Sequence, residues 1–140
     1  MKHLLPACLS SLLVCLLTLP SYADVGDAVD NTDLVWGGSP ASVSPWFSQS
    51  TYTHDGQDAA RSGAVGNVQQ SDLSTVVEGP GTLSFWWKVS SQNDSGAGRY
   101  DILYFWYDNS LGMTLIYGDV DWEQKVIEIP EGTHTLNWSY

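Results

Sequence analysis

Residues 79–90 constrain the fold more than any other stretch. Gly79-Pro80-Gly81 predicts a turn, and the run that follows alternates without a break. Leu83, Phe85, Trp87 and Val89 fall on one face, while Thr82, Ser84, Trp86, Lys88 and Ser90 fall on the other. Period two is the signature of a half-buried β-strand. The alternation gives two adjacent tryptophans opposite duties, with Trp87 directed to the core and Trp86 outward.

The rest of the chain repeats this pattern more weakly. Short strands are predicted at Leu34–Trp36, Ser48–Thr53, Ala59–Val65 and Gln70–Glu78, and again at Tyr100–Tyr107, Met113–Tyr117, Trp122–Ile129 and Thr133–Tyr140. Gly, Pro, Asn and Asp separate them, as at His54-Asp55-Gly56, Asp108-Asn109-Ser110, Gly118-Asp119 and Pro130-Glu131-Gly132. Strands recurring at about 8–12 residues with such punctuation predict an all-β, antiparallel, jelly-roll-like sandwich. Its expected core is Leu83, Phe85, Trp87, Leu103, Phe105, Trp122, Leu136 and Trp138.

The first residues have a different character. Met1-Lys2-His3 precedes an apolar run from Leu4 to Leu19, and Ser21-Tyr22-Ala23 has the small-x-small spacing of a cleavage site. The run is shorter than the roughly 20 residues a membrane span needs. Residues 1–23 therefore read as a signal peptide, 24–33 as a loose acidic arm, and 34–140 as the sandwich module. Localisation is expected to be secreted, at a cell surface or periplasmic, with no membrane insertion after cleavage. Cys8 and Cys15 both lie in the signal, so the rest of the chain folds without disulfides. Beyond residue 23, four basic residues face sixteen acidic ones, a net of −12. Such a surface repels phosphate backbones, which argues against nucleic acid as a partner.

Several motifs together resemble a known kind of module. They are His54-Asp55-Gly56 with Ala59-Ala60 and Ser62-Gly63, the whole of Gly79–Ser90, Tyr100-Asp101 with Leu103 and Phe105, Val120-Asp121-Trp122, and Ile129–Leu136 with Trp138. This set resembles jelly-roll modules of large secreted bacterial proteins, akin to MAM, laminin-G-like and cleaved-adhesin domains. The resemblance covers about residues 34–140. It implies an adhesive or accessory role and brings no catalytic residues. Such modules usually continue into one more strand after the Leu-x-Trp strand, so the chain is expected to be a fragment or one piece of a longer protein.

Three constellations bear on chemistry. Trp86, Tyr104 and Trp106 share the outward parity. If their strands are neighbours, they form one aromatic platform for a glycan or a protein surface. The competing reading is that this face is covered and the module is a structural spacer. Asp55 and Asp58, with Asp24, Asp27, Asp30 and Asp33 as further donors, offer oxygens to calcium, although the bland reading is a polar turn. Asp119, Asp121 and Glu123 alternate as the acids of some jelly-roll glycosidases do, but the match is poor, and no Gly-x-Ser-x-Gly elbow or Cys/His cluster supports an enzyme. The expectation is a non-catalytic adhesion or carbohydrate-binding module, with no cofactor unless calcium.

Overall fold

The computed structural model describes residues 23–39, 42–92, 101–109 and 111–140. Nearly all of the expected signal peptide, the Asn93-Asp94-Ser95 stretch and Ser110 lie outside the described residues. The described chain is all-β, with antiparallel strands in a sandwich-like arrangement, as the alternation predicts, and one short helix. A short helix α1 (Ala23–Ala28) leads to β1 (Phe47–Gln49), β2 (Ala59–Arg61), β3 (Asp72–Ser90), β4 (Ile102–Tyr107), β5 (Leu111–Tyr117) and β6 (Asp119–Ser139). β1 and β2 form a two-stranded sheet. The other four form a sheet in the order β3-β6-β4-β5.

β3 and β6 are much longer than the predicted strands. Gly79-Pro80-Gly81 and Pro130-Glu131-Gly132 do not reverse the chain. They face each other across one continuous β3–β6 ribbon, with Gly79 opposite Gly132 and Gly81 opposite Ile129, so the single residue Pro80 faces Pro130 and Glu131. This bulge is a corner. Leu73 pairs with Trp138, and Phe85 lies twelve residues further along β3. A straight strand would separate Leu73 and Phe85 by about 40 Å. Yet the Phe85 ring lies 5.4 Å from Trp138 and 5.1 Å from Phe105. The distal half of the ribbon, residues 81–90 with 119–129, therefore folds back over the inner face of the four-stranded half.

Core packing follows from that fold-back. Strand parity is kept across the corner, so Leu73, Thr75, Val77, Leu83, Phe85, Trp87 and Val89 all point inward. They meet Leu103, Phe105, Ile116, Ile129, Leu136 and Trp138. Among the residues expected in the core, Trp87, Leu103, Phe105, Leu136 and Trp138 are buried, and Leu83 and Phe85 pack against them half-buried. Trp122 does not join them and is described below.

Two features hold the corner. A Cβ on Gly79 would collide with the backbone carbonyl of Pro130, so the two strands approach there more closely than any side chain allows. Gly81 has open space around it. His134 then ties the corner to the β4–β5 turn. Its Nδ1 lies 2.7 Å from the Asp108 carboxylate and its Nε2 3.2 Å from the Pro130 carbonyl. Both partners are acceptors, so the ring satisfies both as an imidazolium. Asp108 Oδ1 also accepts the Thr135 amide at 3.0 Å. The hydrogen bond to Asp108 raises the His134 pKa against a smaller effect of partial burial, and the same bond lowers the Asp108 pKa.

The N-terminal segment departs from the expected loose arm. Val25 and Ala28 lie three apart on one turn of α1 and are both buried, Val25 completely. Further on, Trp36 packs against Trp138 at 5.9 Å and donates to the Asn31 carbonyl. Leu34–Trp36 is not a strand; only Gly37 forms a bridge, to Ser74. Trp46 is buried and donates to the Ser71 carbonyl at 3.0 Å. Apolar anchors three to ten residues apart thus dock a segment whose polar composition alone suggests freedom.

Two measurements probe the corner. Gly79→Ala should lower stability in urea by about 1–3 kcal/mol through overpacking against backbone, whereas Gly81→Ala should change it little. The His134–Asp108 clasp should contribute most between the two pKa values. His134 titrates higher in the fold, so its contribution is complete below about pH 6.5 and lost as pH rises through the raised value. Asp108 titrates lower in the fold, so its contribution is present above the ordinary carboxylate range and lost as pH falls through the lowered value. The urea midpoint of the wild type should therefore fall between about pH 6 and pH 9, and His134→Gln should remove that fall.

Candidate functional site

The outer face of the distal ribbon carries an aromatic cluster. Trp86 pairs with Gln124, and Trp122 is two residues before Gln124, so both tryptophans stand on the outward side. Trp86 is 43% exposed, against 4% for Trp87 beside it. His54 lies flat on Trp86, with ring centroids 4.0 Å apart and planes 16° apart. It meets Trp122 edge-on at 5.9 Å.

His54 comes from the loop between β1 and β2, and side chains shape that loop. Gln49 Oε1 accepts the amides of Thr51 and Tyr52 at 2.8 and 2.9 Å, while its amide nitrogen donates to the Tyr52 carbonyl at 2.6 Å. After His54 the chain turns on Asp55, whose Oδ1 accepts the Gln57 amide, with Gly56 at φ 89°. One wrapped glutamine and one Asx turn thus hold the histidine over the sheet.

A second bulge shapes the β6 side. Lys88 alone faces Asp121 and Trp122, because Trp87 pairs with Glu123 and Val89 with Val120. This breaks the alternation of Asp119, Asp121 and Glu123, so the three carboxylates do not share a face, and each has a different partner. Asp119 accepts from Ser90 Oγ at 2.8 Å. Asp121 binds the Lys88 ammonium at 2.6 Å, and Lys88 holds its pKa low. Glu123 accepts from the Trp87 indole at 2.9 Å and pairs with Lys125 at 3.0 Å; Lys125 first and then Trp87 lower its pKa. Lowered values suit ion pairing rather than the raised value that a glycosidase acid requires.

The three residues expected to form one platform lie on two separate faces. β6 stands between β3 and β4 in the sheet. Tyr104 and Trp106 pair with Ser139 and Asn137 on the four-stranded half and point away from Phe105. Phe105 faces Phe85, which lies between Ser84 and Trp86 on the other layer. Trp86 and the Tyr104–Trp106 pair therefore occupy opposite outer faces of the sandwich. Trp122 is a further departure: it stands five and seven residues from the inward Ile127 and Ile129, hence on the other parity. His54 replaces the two distant rings as the partner of Trp86.

A cleft of about 1330 Å³ runs along β3, with Tyr52, His54, Asp58, Arg61, Trp86 and Lys88 among its lining. Arg61 lies over the Tyr52 ring at 5.9 Å. The Asp58 pKa is raised by partial desolvation, then by Asp55, Asp27 and Asp30, and of the expected calcium donors Asp30, Asp55 and Asp58 line this cleft. Among the described residues, no three His, Cys, Asp or Glu are grouped to hold a metal ion, and no helix is long and apolar enough to cross a membrane. Comparison with protein-family models, curated proteins and solved structures finds no match.

The two tryptophans should respond oppositely. Trp87→Ala should destabilise by about 3–5 kcal/mol, as for other buried aromatics, and Trp86→Ala by about 1 kcal/mol or less, the worth of one exposed ring stack. Equal losses in a urea titration would mean that the two faces are not divided as described.

Proposed function

We propose that this chain is a secreted, non-catalytic adhesion or carbohydrate-binding module whose binding face is Trp86 with His54 and Trp122. The observation that carries this reading is the 43% exposed Trp86, set at a cleft that Asp58, Arg61 and Lys88 also line. An indole face offers a flat apolar surface to the C–H side of a sugar ring, and surrounding Asp, Gln, Arg and Lys side chains suit its hydroxyls. The apolar leader and the acidic surface fit an extracellular setting, and the jelly-roll resemblance fits an accessory module.

A second reading, a structural spacer within a larger surface protein, is favoured by one specific contact. His54 already covers one side of Trp86 at 4.0 Å, which would latch the β1–β2 loop to the ribbon.

Affinity electrophoresis in gels containing neutral polysaccharides, together with a glycan array, separates the two readings. The binding reading expects retardation by at least one polysaccharide, weakened about tenfold in Trp86→Ala with the fold retained. Absence of binding across both formats, together with a stability loss shared by His54→Ala and Trp86→Ala, would favour the spacer.

A further inference from the structure

The cleft beside β3 follows a strand edge rather than a sheet face. Every residue from 81 to 90 lines it, inward and outward parity alike. β3 is the last strand of its sheet, so its second edge has no strand beside it among the described residues. That edge already takes a partner at one point. Near its start, Ser74 and Gly37 each donate an amide to the other's carbonyl, at 2.8 and 2.9 Å. Among the described residues, no bond of this kind is made to that edge from residue 81 onward. All three residues of β2 line the cleft as well, and β2 pairs with β1 alone. The cleft is thus bordered by two strands that each pair on one side only.

Its size and lining describe what fits there. A strand residue within a sandwich takes up roughly 160 Å³, from about 3.3 Å of rise, about 4.8 Å between strands and about 10 Å between layers. A cleft of 1330 Å³ therefore has room for roughly eight extended residues, close to the length of the bare edge. Leu83 and Phe85 point inward beside it yet stay only half-buried, while Trp87 on the same face is 4% exposed. Apolar side chains from an added strand would complete their burial. Charge narrows the choice further. Among the described residues, six carboxylates line the cleft against Arg61 and Lys88, and Lys88 is already paired with Asp121. The surplus is negative.

We propose that this cleft is an acceptor groove for one β-strand of another polypeptide, an extended basic segment of about eight residues with apolar side chains at alternate positions. Its backbone adds to the free edge of β3. Its apolar side chains cover Leu83 and Phe85, and its Lys or Arg side chains meet the surplus carboxylates. A bare edge with a half-covered core behind it is a template for such pairing. The inference is separate from the sugar reading, because an added strand bonds to backbone at the edge while Trp86 points outward.

Capped synthetic peptides titrated into the purified protein test the groove, with affinity read by calorimetry and edge pairing by amide hydrogen exchange. An alternating Lys-Val octapeptide should bind with a Kd of about 10–100 µM and slow the exchange of β3 amides between residues 82 and 90. A peptide of the same composition with all its lysines before its valines keeps the charge and loses the alternation, and should bind at least about tenfold more weakly. Leu83→Lys, where circular dichroism shows the fold retained, should weaken the alternating peptide by a similar factor. No binding up to about 1 mM, equal binding of the two peptides, or binding without protection of those amides overturns the proposal. Protection that grows with protein concentration alone assigns the edge to a second copy, and protection by neutral oligosaccharides but not by peptide assigns it to a sugar; either result also overturns it.

Discussion

The architecture depends on how closely two backbones approach at one place. Gly79 lies against the Pro130 carbonyl with no room for a side chain, and there the β3–β6 ribbon turns onto itself. If the ribbon ran straight, Phe85 would lie far from Trp138, and the inward faces of the two halves would both be wet. Folded at the corner, a single pair of strands supplies both layers of the sandwich. Burial of Trp87, Phe105, Leu136 and Trp138 follows from that one bend, and hydrophobic burial supplies the driving force that keeps it closed. His134 braces the same bend from the side, joining Pro130 to the β4–β5 turn through Asp108.

The bend also decides what the outer surfaces can do. Parity carries through the corner on β3 and is shifted by one on β6 by the bulge, so the residues between the inward ones face outward on two opposing surfaces. One surface holds Trp86, Trp122 and the docked His54. The other holds Tyr104 and Trp106, next to the uncharged β5 edge. The first is a compact aromatic cluster at a cleft that Asp58, Arg61 and Lys88 also line, whereas the second is a largely apolar face.

Much of this is legible in the order of residues, and the limits have a physical cause. Alternation alone separates Trp86 from Trp87, and Leu103 and Phe105 from Tyr104 and Trp106, because side-chain direction in a strand depends only on local backbone. It also separates Trp122 from Ile127 and Ile129, although the size of a tryptophan argues for the core. The corner is not legible, because Gly-Pro-Gly has the same turn chemistry whether the chain reverses or bends. The difference lies in the pairing of Gly79 with a residue some fifty positions away. The placement of His54 over Trp86 is likewise a long-range contact from a loop without periodicity, and Gln49, which shapes that loop, carries no recognisable motif. The bulge at Lys88 scatters Asp119, Asp121 and Glu123, and a count of alternate residues passes straight over it.

The claim that links fold to function is that Trp86 and Trp122 meet a partner while Trp87 does not. The indole N–H signals in a ¹H–¹⁵N spectrum report on this directly during titration with soluble neutral oligosaccharides. The account predicts that the Trp86 and Trp122 signals shift with a common saturation curve, while that of Trp87, bonded to Glu123, stays in place. Shifts confined to Trp106, or no shift in any indole, would contradict it.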